Sequence, residues 1–243
     1  MNNSTTKNNF INRIDYKITH LQKSFRRGKR KVLTDVNLSA TGGECIGILG
    51  ANGCGKSTLL SILAGTQAPD AGSYMVNGTE LFFRPGKKHR GSLAGIGYVP
   101  QECPLMEELN ALDNLKLWYC NSSLSLTAEL DNGFLSMLGI PDFLNVTVKK
   151  MSGGMKKRLS IGCALAGNPQ ILLLDEPGAA LDLPCRDRIE TYLKEYRSRG
   201  NIILLATHEE REIELCDKLF LLKDGVLTPL IYNGDIHELT AKL

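Results

Sequence analysis

The residues best suited to chemistry are Gly50, Ala51, Asn52, Gly53, Cys54, Gly55, Lys56, Ser57 and Thr58, which fit G-x-x-x-x-G-K-[ST] directly after the apolar run from Cys45 to Leu49. In such a loop the glycines let consecutive backbone N–H groups turn inward around phosphate oxygens. Lys56 reaches the β- and γ-phosphates, and the Ser57 hydroxyl can ligate Mg²⁺. A helix expected from Lys56 to Leu63 adds its positive dipole end. The pattern implies a bound nucleoside triphosphate. A glycine-rich turn that fits by chance is the bland alternative, and the apolar strand before it and the helix after it weigh against that. Cys54 reads as a small loop filler, with an oxidation-sensitive thiol beside phosphate as the alternative.

A second constellation lies downstream, where the apolar run Ile171 to Leu174 ends abruptly in Asp175, Glu176 and Pro177. Continuous apolarity suits a strand buried on both faces, and ligand chemistry gathers at the carboxyl ends of such strands. There Asp175 can hold Mg²⁺, directly or through water. Glu176 can polarise the water that attacks a γ-phosphate. An isolated Asp-Glu pair would more often open a surface loop. Following a phosphate loop in a chain of this layout, the chemical reading is preferred.

These residues need a frame, and the chain predicts an α/β one. Residues 1 to about 14 are rich in Asn, Ser and Thr and are expected to form a mobile tail before a domain spanning 15–243. Two strands, about Tyr16 to Leu21 and Val32 to Leu38, flank the basic run Lys23, Arg26, Arg27, Lys29, Arg30 and Lys31, with Gly28 as the turn residue. That run is expected to be a solvated hairpin tip; attraction to anionic lipid headgroups is its functional alternative. Past the first helix comes a turn-rich region marked by Gly72, Asn77-Gly78, Pro85-Gly86 and Gly91. Residues from about 104 to 164 read as a helical insertion, with apolar spacing at Leu112, Leu115 and Tyr119 and Asn110 placed as a cap. Strand signals at Ile171 to Leu174, Ile202 to Ala206 and Lys218 to Leu222 then alternate with helices, as in a doubly wound parallel sheet. Asp224-Gly225 predicts a tight hairpin turn, and Ile236 to Leu243 a short terminal helix.

Composition narrows the class. A chain of 243 residues can bury one good core with a sizeable subdomain, and 42% hydrophobic with 23% charged residues is ordinary for a globular protein. No apolar run approaches bilayer length, and the polar start Met1 to Lys7 lacks the apolar region of a signal peptide, so a cytoplasmic protein is expected. Seven cysteines without a C-x-x-C pair read as reduced thiols. A net charge of +3 is too small to argue for a nucleic-acid partner, and none is expected.

Met151-Ser152-Gly153-Gly154-Met155 resembles the signature, usually L-S-G-G-Q, of ABC-type ATP-binding cassettes. Around it, in the order of that family, stand Phe25, the phosphate loop, Gln101 in Tyr98-Val99-Pro100-Gln101, Asp175-Glu176, Ala180-Leu181-Asp182 and His208. Each mark alone is weak; together, in order from about Tyr16 to Leu243, they are specific. The resemblance implies a P-loop NTPase (RecA-like) core with a small antiparallel β subdomain and a helical insertion that carries the signature. It implies an ATPase using Mg²⁺, with Glu176, His208, Gln101 and Lys56 as catalytic residues and Ser57, Gln101 and Asp175 around the metal. Phe25 stacks on adenine, and Asp182 joins the nucleotide-binding residues. Ser152, Gly153 and Gly154 face the γ-phosphate held by a second subunit, so that two cassettes, a homodimer in the simplest case, close head to tail over two ATP molecules. Plain alternatives are a packing role for Phe25, a loop polar residue at Gln101, a structural histidine at His208 and a helix cap at Ser152. The last agrees with the functional reading, since a helix N-terminus is an anion site.

The chain also departs from the pattern. Met151 and Met155 replace the usual Leu and Gln, and Gly178-Ala179-Ala180 lacks the Thr or Ser often seen before Leu-Asp. The segments Leu105 to Leu115 and Met155 to Ser160 resemble those of ABC-2-type exporter cassettes, which work with separate transmembrane permease subunits. Such a cassette is peripheral on the inner face of the cell membrane. The alternative is a soluble cassette of another machine, such as iron–sulfur cluster assembly.

Overall fold

Five-residue apolar runs make the centre of the molecule. In the computed structural model, which describes residues 14–26, 28–81, 95–178 and 181–234, strands β3 (Cys45–Leu49), β7 (Ile171–Asp175) and β8 (Ile202–Ala206) are buried at every position. They run parallel in the order β3, β8, β7. Parallel β6 (Ile96–Val99) follows β7, and parallel β9 (Lys218–Lys223) lies on the other side of β3. Side chains alternate across a strand, and the core divides accordingly. Leu172, Leu174, Ile203 and Leu205 share one cluster with the helical insertion, whereas Ile171, Leu173, Ile202 and Leu204 share another with Leu59, Leu60, Ile62 and Leu63 of α1 (Lys56–Leu63).

An antiparallel layer lies beyond β9. β10 (Val226–Leu230) pairs antiparallel with β9 through Asp224 and Gly225, whose φ angles of 51° and 77° are those of a two-residue hairpin turn. Past β10 come β2 (Arg30–Thr41), β1 (Asp15–Phe25), β4 (Ala71–Val76) and β5 (Thr79–Glu80), the last four mutually antiparallel. The backbone join between the two parts is short, although their side chains share one apolar core. It consists of the parallel pair Val226–Asp35 and the Gly225 carbonyl, which accepts from the Thr34 and Asp35 amides at 2.8 and 3.3 Å.

The helical insertion contains α2 (Ala111–Tyr119), α3 (Leu126–Asp131), α4 (Phe134–Met137) and α5 (Gly153–Leu165), with 3₁₀ turns at Pro141–Phe143 and Val148–Lys150. Asn110 caps α2 as its residue type predicts, its Oδ1 accepting the Asp113 amide at 2.8 Å. α6 (Leu183–Ser198) packs on β8, and α7 (Glu210–Glu214) precedes β9.

Several expectations change. β1 and β2 are longer than the strands read from sequence, since both continue through the polar residues near the hairpin. The turn-rich region contains β4 and β5, which their Gly, Ser and Met content conceals, and the sheet is parallel only through its core. Ile14, assigned to the tail, is buried, and its carbonyl accepts the Gly42 amide at 2.8 Å. The rest of that tail, Pro85-Gly86, Gly91 and the terminal helix fall outside the described residues. All seven cysteines are free thiols.

Candidate nucleotide site

Three elements converge on a cleft of about 540 Å³: the hairpin end of β1 and β2, the loop from β3 to α1, and the carboxyl ends of β7 and β8. It is lined by Phe25, Arg30, Val32, Asn52, Gly53, Gly55, Lys56, Ser57, Thr58, Gln101, Glu176 and His208. Gly55 opens α1 with a left-handed φ of 118°. A Cβ there would meet Val32 Cγ1 at 2.8 Å, so only glycine lets the loop pass this close to β2. Lys56 is buried, and its ammonium donates to the carbonyls of Gly50 and Ala51 at 2.7 and 3.3 Å. Those two residues do not line the cleft; their carbonyls hold the Lys56 ammonium. Cys54 packs into the core beside Gly50, as a loop filler should.

The acidic pair splits by environment. Asp175 is 2% exposed, its Oδ2 is buried without a hydrogen-bond partner, and the Ser57 hydroxyl lies against its carboxylate. Burial raises its pKa, helped by neighbouring Glu176 and opposed by the Ser57 hydrogen bond and the lysines 56 and 157. A divalent cation with oxygen ligands fits this demand. Among the described residues no group of three His, Cys, Asp or Glu is placed to hold a metal ion. Glu176 has a φ of 49°, uncommon for a residue with a side chain, and its amide donates to the Ala206 carbonyl at 2.9 Å. Its Oε2 accepts from Gln101 Nε2 at 3.0 Å, and its Oε1 lies 3.4 Å from His208 Nδ1. Three residues distant in sequence thus meet on one carboxylate.

Other sequence-derived candidates lie elsewhere. Ser152 caps α5, its Oγ accepting the Met155 amide at 3.2 Å, and Ser152, Gly153 and Gly154 do not line the cleft. Asp182 is likewise absent from it: Oδ1 accepts the Cys185 amide at 2.9 Å, so the carboxylate caps α6. Most of the basic run is exposed at the hairpin as expected, at Arg26, Lys29, Arg30 and Lys31, and two of its members make further contacts. Lys23 Nζ is 5.5 Å from the Phe25 ring centroid and bonds the Ala68 carbonyl and Asp70, while Arg30 faces the cleft; Arg27 falls outside the described residues.

Two residues that sequence reasoning passed over also act here. Lys157, read only as part of the segment Met155 to Ser160, is 4% exposed and donates to the Pro100 and Asp175 carbonyls at 3.2 and 3.1 Å. Burial lowers its pKa, with nearby Cys103, Asp175, Glu212 and Glu176 opposing. Its i+3 and i+4 neighbours Ser160 and Ile161 are buried on the same face of α5, and that register was the available signal. Glu212 had none, because its contacts cross between loops.

The comparisons agree with this geometry. The sequence model described as ABC transporter matches residues 33–179. The Nod factor export ATP-binding protein I of Rhizobium etli is 34% identical over 95% of this chain and 77% of its own length. The spermidine/putrescine import ATP-binding protein PotA of Bacteroides thetaiotaomicron is 34% identical over 92% of this chain and 49% of its own. Among solved structures, a dimeric ATP-binding cassette in a post-hydrolysis state bound to ADP and Pi superposes with a TM-score of 0.78 at 27% identity, covering 90% of this chain and all of that one. Since this agreement in sequence and fold spans the phosphate loop, the acidic pair and the strands that hold them, the chain belongs to the ABC transporter family as an ATP-binding subunit, an ATPase coupled to transport.

Proposed function

We propose that the chain drives an exporter by closing as a head-to-tail dimer over two Mg-ATP. The carrying observation is that Ser152 to Gly154 sit exposed or half-exposed at the open end of α5, yet line no part of the chain's own cleft. Helix-end donors of this kind complete a site for an anion that something else must present. A second copy presents it.

Within each site Phe25 and Val32 hold the base, the phosphate-loop amides and Lys56 hold the phosphates, and Ser57 with Asp175 holds Mg²⁺, which when bound draws charge from the phosphate oxygens. Glu176 accepts the proton of the attacking water, and Gln101 and His208 fix its carboxylate. Met106, Leu117 and Trp118 stand 60%, 52% and 51% exposed at and beside α2. That apolar surface supports docking of a separate membrane subunit there, and no helix among the described residues is long and apolar enough to cross a membrane. Membrane association through that partner follows. The Nod factor relative and the Leu105 to Leu115 segment support export; the PotA relative is named for import.

The test is light scattering of Glu176→Gln with and without ATP. This variant keeps nucleotide but loses the proton acceptor, so ATP should convert monomer to dimer. Adding Ser152→Arg, which places bulk and charge against the phosphate, should abolish the conversion. A Glu176→Gln protein that remains monomeric at saturating ATP, or a double variant that dimerises equally, rules out the shared homodimeric site.

A further inference from the structure

Glu212, on α7, uses its two carboxylate oxygens on two different loops. Oε1 accepts the Gly178 amide at 2.8 Å, and Oε2 accepts the Thr207 hydroxyl. Gly178 follows Glu176 by two residues, and Thr207 immediately precedes His208. Thr207 Oγ1 in turn accepts the Glu209 amide at 3.0 Å, so the backbone is fixed on both sides of His208. Arg186 adds a second tie between the same loops, donating to the Leu181 carbonyl at 3.1 Å and to Glu209 at 3.2 Å.

The contact depends on the glycine. A Cβ at residue 178 would lie 2.5 Å from Glu212 Oε1, closer than real contacts allow, so any side chain there displaces the carboxylate. Glu212 is half-buried, and that burial raises its pKa against the Thr207 and Gly178 hydrogen bonds that favour the anion. A carboxylate held at such a cost fits a residue with a specific task.

We propose that Glu212 is a positioning residue: it fastens the chain after the acidic pair to the segment carrying His208 and so sets the 3.4 Å approach of His208 to Glu176. The inference rests on the assignment of Glu176 and His208 made above. It concerns orientation and not nucleotide affinity, because Glu212 lines no part of the cleft.

The test compares Glu212→Ala, Glu212→Gln, Gly178→Ala and the Glu212→Ala/Gly178→Ala pair, all in the full chain. Glu212→Ala should lower kcat roughly tenfold and leave KM for ATP within about twofold, the signature of a lost orientation rather than lost binding. Glu212→Gln, which keeps shape but offers one acceptor oxygen, should fall between. Gly178→Ala should reproduce the defect, and the pair should be no worse than the poorer single variant, since a new Cβ has no carboxylate left to strike. Independently of turnover, the His208 imidazole NMR signal, assigned by its loss in His208→Asn, should move in Glu212→Ala toward its position in Glu176→Gln. An unmoved signal with wild-type kcat overturns the proposal, as do additive single effects or a KM that rises in step with the fall in kcat. If Glu212→Ala does not fold, Glu212→Gln and Gly178→Ala carry the same readouts. Failure of the site assignment is separate: Glu176→Gln would then hydrolyse ATP like the wild type.

Discussion

Asp175 holds a charge in a place that penalises it. With Oδ2 buried and unpartnered, the folded chain keeps its proton to higher pH than an unfolded Asp would. Between the unfolded pKa and the raised folded one the folded state binds more protons, so this residue makes stability fall as pH rises through that window. Asp175→Asn should therefore stabilise the protein alone by about 1 kcal/mol and flatten that part of the pH profile, as urea denaturation at several pH values reads. The same variant should lose the extra stability that Mg²⁺ adds to ATP, because the cation's acceptor is gone. Unchanged Mg²⁺ dependence would remove Asp175 from the metal site. At this scale sequence and structure converge where a residue's task is local. Phe25, Lys56, Ser57, Gln101, Glu176 and His208 meet at one cleft. Asp182 and the residues from Ser152 to Gly154 do not, for their hydrogen bonds inside this chain are helix caps. Glu212 was illegible because a carboxylate bridging Gly178 and Thr207 leaves no spacing in the sequence.

Besides its apolar packing on the strands, α5 is tied to them by one buried polar side chain. Lys157 ties the helix to the Pro100 carbonyl, just before Gln101, and to the Asp175 carbonyl at the end of β7. Lys157→Met fills similar space but strands two carbonyls, so it should cost about 2 kcal/mol in urea unfolding. Turnover should fall further than that loss of stability explains, since Gln101 and the acidic pair lose a common anchor. A variant as stable and active as the parent would make the lysine a bystander. Element by element, the buried strands were the most legible, because five apolar residues bounded by turn residues have few other uses. β4 and β5 were hidden: Gly72 adopts a left-handed φ of 101° within β4, and neither strand shows sustained alternation. β4 is placed by pairing with β1, a contact distant in sequence, and β5 by pairing with β4.

Across the whole molecule, the cleft is made by two layers that share one apolar core. Phe25, Arg30 and Val32 belong to the antiparallel layer, whereas Asn52 to Thr58 extend from the parallel core. A nucleotide contacting both bridges them. In Glu176→Gln, ATP should therefore slow amide hydrogen exchange at the β1–β2 hairpin end together with the phosphate loop. Protection confined to the phosphate loop would show that the hairpin takes no part in binding. Between the layers the sheet is joined by the short pairing of Gly225 and Val226 with Thr34 and Asp35, but apolar side chains of β1, β2 and β4 pack with those of β3 and α1 in one core. The hairpin wall of the cleft is therefore seated on the same foundation as the phosphate loop, and a substitution that loosens that shared core should blunt the grip on base and phosphates together.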